Sequence, residues 1–325
     1  MDAMRGLAVG ALMGLMTAGG ALADDLTLSH QWHTSDVRHQ VAQALADALA
    51  DAEVGLDLRI HPASSLIPAD EQYDALKAGR IDLAVMPLAY AASDHPAFGL
   101  TLLPGLVRNH DHAGRMARSD FMAEIEKRLA EDGLMILVHG YLANGLAGRT
   151  DCVTGPSDAE GKRVRAADGA HAEALAAAGA EVVTLSTEEL YGALQRGEID
   201  AAASSTAVLA QDRLYEQVGC YTPPGEVAPG LVYQPVLMRR AAYDALSTGQ
   251  REALDAARDP LATLYRQEAE RQDELSTRAF REAGVAIREM LPEEFEAWRV
   301  LARRNAARML ATKDRDVLDL AFAVE

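Results

Sequence analysis

Glu71-Gln-Tyr-Asp-Ala-Leu-Lys-Ala-Gly-Arg-Ile-Asp-Leu-Ala84 is matched in spacing by Glu189-Leu-Tyr-Gly-Ala-Leu-Gln-Arg-Gly-Glu-Ile-Asp-Ala-Ala202. Glu, Tyr, Ala, Leu, Gly, Ile, Asp and Ala recur in the same order without a gap, which chance seldom gives, so the chain reads as two related lobes. Each copy reads as a short helix closed by a glycine, Gly79 or Gly197, whose missing Cβ permits φ > 0, followed at once by an apolar strand. Two lobes leave a cleft between them. In open α/β sheets ligands sit beyond the carboxyl ends of the strands, which points to Met86–Tyr90 and Ala203–Thr206 as its walls.

Working outward, the first copy is preceded by a strand (Leu26–Ser29), a helix (Val37–Leu49) and a strand (Leu56–Ile60). The second is preceded by the same order, Arg163–Arg165, Ala170–Ala178 and Glu181–Leu185, with Ser186 and Glu189 spaced as a capping box. Strands alternating with helices of this length build parallel sheets. The fold class is therefore α/β: two lobes, each a mostly parallel sheet flanked by helices. Between them Phe121–Asp132 reads as a helix and Leu134–Val138 as a strand that carries the chain across. Apolar residues recur at helical spacing from Thr248 to Arg281, which predicts an unusually long helix, kinked at Pro260, lying across both lobes. A strand (Val285–Ile287) and a helix (Pro292–Leu310) close the chain. The expected division is residues 24–146 plus 235–276 for the first lobe and 147–234 plus 277–325 for the second.

The chain has 325 residues, 49% of them hydrophobic, which is ample for two cores. Residues 1–23 have the form of a signal peptide, with Arg5, an apolar run from Gly6 to Ala18, and cleavage after Ala23 in Ala21-Leu-Ala. Asp2 is unusual there, and a start at Met4 gives a cleaner leader. No later stretch approaches the ~20 apolar residues of a membrane span, so the mature chain is expected to be exported and soluble. Cys152 and Cys220 are the only two cysteines, and in an oxidising compartment they are expected to form a disulfide. A net charge of -18 argues against nucleic acid or an anionic membrane as partner, while leaving an anionic small ligand to the local arginines.

Gly155-Pro-Ser-Asp-Ala-Glu-Gly161-Lys-Arg-Val-Arg165, followed by the second repeat copy, resembles the signature of the dicarboxylate-binding (DctP-type) solute-binding subunits of TRAP (tripartite ATP-independent periplasmic) transporters. The resemblance runs from the signal peptide to the C-terminal helix. It implies a two-lobe periplasmic binding protein that closes on a small organic acid and delivers it to membrane permease subunits, as a monomer without a cofactor. It also implies that the arginine ending the Gly-Lys-x-x-Arg strand, Arg165, grips the ligand carboxylate. A guanidinium offers a planar fork to a carboxylate, which lysine cannot. Arg163 shares a strand face with Arg165, so alternation does not choose between them and the motif does. The structural alternative is an arginine held by Asp168 or Asp158.

Further candidates are Arg149, after the glycine-rich Asn144–Gly148; Trp32 and His33, at the place in the first lobe equivalent to Arg165–Ala167; and Tyr233, at the return crossing. Where family members continue Gly-Gln-Glu-Asn-Pro after the repeat aspartate, this chain has Ala-Ala-Ala-Ser204-Ser205, whose hydroxyls remain as donors. Met86-Pro-Leu88 supplies an apolar wall, favouring a ligand with one anionic end and some apolar body. His110-Asp-His112 lacks a third metal ligand at useful spacing, and no nucleophile elbow, phosphate loop or zinc-protease motif occurs. The rival readings are a receptor serving a membrane sensor and an exported hydrolase using the same cleft.

Overall fold

The computed structural model describes residues 24–166, 170–185, 187–310 and 314–325. The expected leader, Asp168 and the expected N-cap Ser186 lie outside these residues. The first half contains β1 (Asp24–Ser29), α1 (Val37–Asp51), β2 (Leu56–His61), α2 (Gln72–Lys77), β3 (Leu83–Val85), α3 (His110–Met116), α4 (Asp120–Glu131), β4 (Leu134–Val138), β5 (Tyr141–Gly148) and α5 (Pro156–Ala159). Then come β6 (Arg163–Ala166), α6 (Ala170–Ala177), β7 (Glu181–Thr184), α7 (Leu190–Arg196), β8 (Ala201–Ser205), α8 (Thr206–Gln211), β9 (Cys220–Thr222) and β10 (Gly230–Tyr233). The chain ends with β11 (Val236–Arg239), α9 (Arg240–Ala245), α10 (Thr248–Glu282), β12 (Ala286–Ile287), α11 (Pro292–Met309) and α12 (Arg315–Ala323).

One sheet runs β2-β1-β3-β11-β4, the other β12-β9-β5-β8-β6-β7 with β10 beside β5. The repeat explains their likeness. Each copy places its glycine in the left-handed region, Gly79 at φ 70° and Gly197 at φ 66°, turning the chain from helix into strand. In both lobes the first strand of the strand-helix-strand unit before the copy is flanked by parallel partners, β2 and β3 around β1, β7 and β8 around β6. Strand order therefore reverses at β1/β3 and at β6/β8, where α/β sheets open a crevice at their carboxyl ends.

The lobes are joined at His139–Gly140, between β4 and β5, and at Gln234–Pro235, between β10 and β11. The crossings run side by side, with the Gln234 N–H donating to the Gly140 carbonyl at 2.8 Å. The expected division put the first crossing between residues 146 and 147, but β5 lies wholly in the second sheet. Two glycines of that stretch serve close packing. A Cβ on Gly145 would stand 2.5 Å from the Tyr221 ring, and one on Gly148 would stand 1.9 Å from the Asp151 carbonyl.

The first sheet is covered on one side by α1 and α10 (Val41, Leu45, Leu254, Leu261) and on the other by α4 and α12 (Phe121, Ile125, Leu318, Phe322). Residues 315–323, expected with the second lobe, thus pack under the first. The second sheet has α6 and α11 on one face (Leu175, Phe295, Trp298) and α7, α8 and the end of α10 on the other (Leu194, Leu209, Phe280). The 35-residue α10, capped by a reciprocal Ser247–Gln250 pair, therefore enters both cores. Fully burying one such leucine or phenylalanine contributes about 1.5–3 kcal/mol, so this helix ties the lobes together through several anchors.

Candidate functional site

On β6, Val164 and Ala166 enter the core, leaving Arg163 and Arg165 on the other face. At the amino end of β8 the Asp200 carboxylate accepts from Arg163 Nη2 and Nε at 2.6 and 3.1 Å, and from its main-chain N–H at 2.9 Å. These bonds hold the Asp200 carboxyl below the usual range. Arg163 is thus a brace between strands.

Arg165 lies at the opposite end and is only 5% exposed. Its Nε donates to the Leu185 carbonyl and its Nη1 to the Ala203 carbonyl, both at 2.9 Å. The guanidinium is thereby laid across the carboxyl ends of β7, β6 and β8, at the second switch point. These two main-chain carbonyls fix its plane. Asp158 is not its partner, because one of its oxygens already accepts from Thr154 N, Thr154 Oγ1 and Gly155 N at 3.0, 2.9 and 3.0 Å.

Beside Arg165, residues Asn144, His171, Leu175, Ala203, Pro104 and Trp298 enclose a cavity of about 10 Å³, room for about one water. Pro104 belongs to the first lobe's covering loop, and α6 packs on the neighbouring 3₁₀ turn Pro96–Leu102, so both lobes meet here. Burial, assisted by the Arg165 charge, lowers His171 from 6.5 to about 4, which keeps its imidazole neutral at pH 7. Ser205 faces Asn144 across the β5–β8 ladder, and Ser204 faces Gly145. Alternation puts Ser205 on the cavity face with Ala203, where its Oγ accepts from Val208 N at 3.4 Å and caps α8. Ser204 is buried on the other face.

The remaining candidates lie elsewhere. Arg149 follows the far end of β5. It is exposed, its N–H donates to the Asp200 carbonyl at 2.8 Å, and its guanidinium lies over Gly197. It therefore sits at the amino end of β8, opposite Arg165, and the expectation of a cleft contact is corrected. Tyr233 is fully buried in the hinge, its ring centroid 4.8 Å from that of Tyr141 and its hydroxyl 2.8 Å from His139 Nδ1. Burial raises the Tyr233 phenol far above its ordinary value, so it keeps its proton.

Strand register also moves the lobe-one counterpart of Arg165. β1 pairs Leu28 with Leu83 and Ser29 with Ala84, while β6 pairs Val164 with Ala201 and Arg165 with Ala202. The repeat equates Ala84 with Ala202, so Ser29 stands where Arg165 stands, not Trp32–His33. His33 is exposed on the turn beyond, its carbonyl accepting from Asp36 N at 3.1 Å.

Trp32 is buried beneath Arg38, whose guanidinium carbon is 3.8 Å from the ring centroid. Arg38 is 1% exposed. It donates to Asp36 through Nε at 2.6 Å and Nη2 at 2.5 Å, and through Nη1 to Gln234 Oε1 at 2.7 Å. Burial alone raises the Asp36 carboxyl, but Arg38 outweighs this and holds it below the ordinary value. Tyr265 of α10 completes the cluster, donating to the Gln234 carbonyl at 3.0 Å. Arg38, Asn144 and His171 were not singled out from sequence. Their signals were an aspartate two residues before the arginine, an asparagine inside a glycine-rich strand, and a histidine six residues beyond Arg165.

Cys152 and Cys220 are joined, with Cα atoms 5.1 Å apart. The bridge lies beyond Gly148, at the far end of β5 from the hinge. His110 Nε2 pairs with Asp273 at 2.8 Å, whereas His112 accepts from Arg108 N at 3.1 Å and its Nε2 lies 3.1 Å from the Val324 carbonyl. Among the described residues no three metal-capable side chains gather, and no helix is long and apolar enough to cross a membrane.

Comparison with known proteins agrees with this geometry. Residues 28–313 match the model of the bacterial extracellular solute-binding protein, family 7. A solute-binding protein of Albidiferax ferrireducens is 27% identical over 312 residues, covering 94% of this chain and 92% of its own. A TRAP periplasmic solute-binding protein from Rhodoferax ferrireducens, solved with bound malonate, superposes with a TM-score of 0.83 at 27% identity, over 91% of this chain and 96% of that one. A Bordetella pertussis extracytoplasmic solute receptor that binds pyroglutamic acid shares the fold, with a TM-score of 0.80 at 18% identity over 92% and 99% of the two chains. Two α/β lobes with matching switch points, a double hinge and a helix entering both cores are thus the frame of a transport receptor, and this chain belongs to family 7, the DctP-type solute-binding proteins of TRAP transporters.

Proposed function

We propose that this protein captures a small organic acid in the periplasm by closing its lobes around it, with Arg165 as the carboxylate anchor, and delivers it to the TRAP permease subunits. The observation that carries this reading is Arg165 itself, a buried guanidinium whose plane is set by the Leu185 and Ala203 carbonyls at a strand-order switch. In a closed cleft such a fork binds a carboxylate more strongly than at a surface, since water no longer screens the pair. Asn144 and His171 line the same region, and Ser205 shares the strand face of Ala203 beside it. The family is one of transport receptors rather than enzymes. Export with cleavage after Ala23, action as a monomer and indifference to nucleic acid belong to this proposal too, supported by the leader pattern and the charge of -18.

Isothermal titration with a panel of carboxylic acids tests the anchor. Arg165→Lys keeps the charge but loses the fork, so affinity should fall tenfold or more, given about 1.5–3 kcal/mol for a charged hydrogen bond. Arg163→Lys should leave affinity unchanged. Equal affinity in Arg165→Lys and the unsubstituted protein would overturn the assignment.

A further inference from the structure

Both switch points can be inventoried for charge. The described residues at the carboxyl ends of β1, β2, β3, β6, β7 and β8 are 29–33, 61–66, 86–90, 165–166, 170–171, 184–185, 187 and 203–206. They contain no lysine, and Arg165 is their single arginine. His30 and His171 are both buried, and burial first, then the neighbouring His39 or Arg165, lowers each to about 4. Neither supplies a positive charge at neutral pH. Arg38 comes close from α1, but its charge is matched by Asp36 and its third bond goes to Gln234.

What the same surfaces hold in quantity is neutral hydrogen-bonding groups. Among the described residues, the fully buried Ser29 hydroxyl and Gln31 Oε1 have no hydrogen-bond partner. Ser29 is the register counterpart of Arg165 in the opposite lobe, so one cation and one neutral hydroxyl occupy equivalent places in the two switch points. Asn144 adds an amide and His171 a neutral imidazole. Pro104, Leu146, Leu175 and Trp298 form the apolar part of the wall.

We infer that the ligand is a small monocarboxylate whose second end is neutral and hydrogen-bonding, such as an amide, lactam, keto or hydroxyl group, and that diacids are discriminated against. A second carboxylate would be taken out of water into a site with no lysine and no second arginine among its described residues, and an unpaired buried charge is the costliest group to enclose. An amide or hydroxyl in its place meets donors and acceptors already there. The inference rests on Arg165 as the anchor and deepens that reading.

The test uses matched pairs that differ only in the second end: malonate and malonamate, succinate and succinamate, glutarate and glutaramate. Each is titrated calorimetrically at pH 7.5 into the full mature protein and into Arg165→Lys. In the pair whose length fits, the half-amide should bind at least tenfold tighter than the diacid, and Arg165→Lys should weaken it tenfold or more. A diacid binding as tightly as its half-amide, with Arg165→Lys still weakening both, overturns the monocarboxylate inference and leaves the anchor standing. Half-amide binding that is indifferent to Arg165→Lys, or no binding in any pair, overturns the anchor and the inference with it.

Discussion

Nη1 of Arg38, in the first turn of α1, donates at 2.7 Å to Oε1 of Gln234, the residue at which the chain returns from the second lobe to the first. The two are 196 positions apart in sequence, yet both side chains are buried, with Asp36 balancing the charge. Arg38→Met strands the Asp36 carboxylate and should cost about 3–5 kcal/mol in urea unfolding. Gln234→Ala removes only the neutral acceptor and should cost less, about 1.5–3 kcal/mol. Equal stability of Gln234→Ala and the unsubstituted protein would show that this bond does not hold the hinge.

The hinge also depends on a missing side chain. A Cβ on Gly140 would stand 1.9 Å from Tyr265 Cε1, and that ring is itself pinned by its bond to the Gln234 carbonyl. Gly140→Ala should destabilise by about 1–3 kcal/mol through overpacking. Combined with Tyr265→Leu, which clears the space, the loss should be smaller than the sum of the two single losses. Strict additivity in that cycle argues against the contact.

Reducing the Cys152–Cys220 bridge, with 68 positions of sequence separation, should lower stability by roughly 4 kcal/mol. Because the bridge lies at the end of β5 away from Gly140, ligand-driven compaction should persist after reduction. Small-angle scattering of oxidised and reduced protein, each with and without saturating ligand, checks both parts. Loss of compaction on reduction would tie the bridge to the hinge after all.

Acid should unfold the protein earlier than its carboxylates alone require. Burial lowers His30, His112 and His171 from 6.5 to about 4 in the folded chain. Between those values the unfolded chain binds more protons, so stability is lost as pH falls from about 6.5 towards 4, by up to about 1.4 kcal/mol per pH unit for each histidine. Urea midpoints at pH 7.5, 6 and 5 should show this slope, and His112→Gln should flatten it by one histidine's share. A slope unchanged by that substitution removes His112 from the account.

Much of this fold can be read from the sequence because the lobes are built by local rules. The helix, glycine, strand sequence of each copy, and the periodic run that becomes α10, depend on neighbours along the chain. Arg165 is singled out in the sequence by a motif, and its proposed role as anchor rests on that and on its place at the switch point. Asn144, His171 and Arg38 are not singled out, since each acquires its role from partners on other elements, and Arg38 in particular reads as an ordinary helix-surface cation until Gln234 is brought to it. Arg149 misled for the converse reason. It follows a glycine-rich stretch that looks like a hinge, but two of those glycines accommodate Tyr221 and Asp151 within a strand.

In the first sheet β11 lies between β3 and β4, although residues 139–235 separate it from β4 in the chain. A polypeptide delivered amino end first therefore holds β1, β2, β3 and β4 long before it holds the strand that joins them. The first lobe cannot complete its sheet until residue 239 is available, and the slow search for so distant a partner delays it further. The same interleaving that makes the hinge double thus leaves the growing chain open, in a form that can still be threaded.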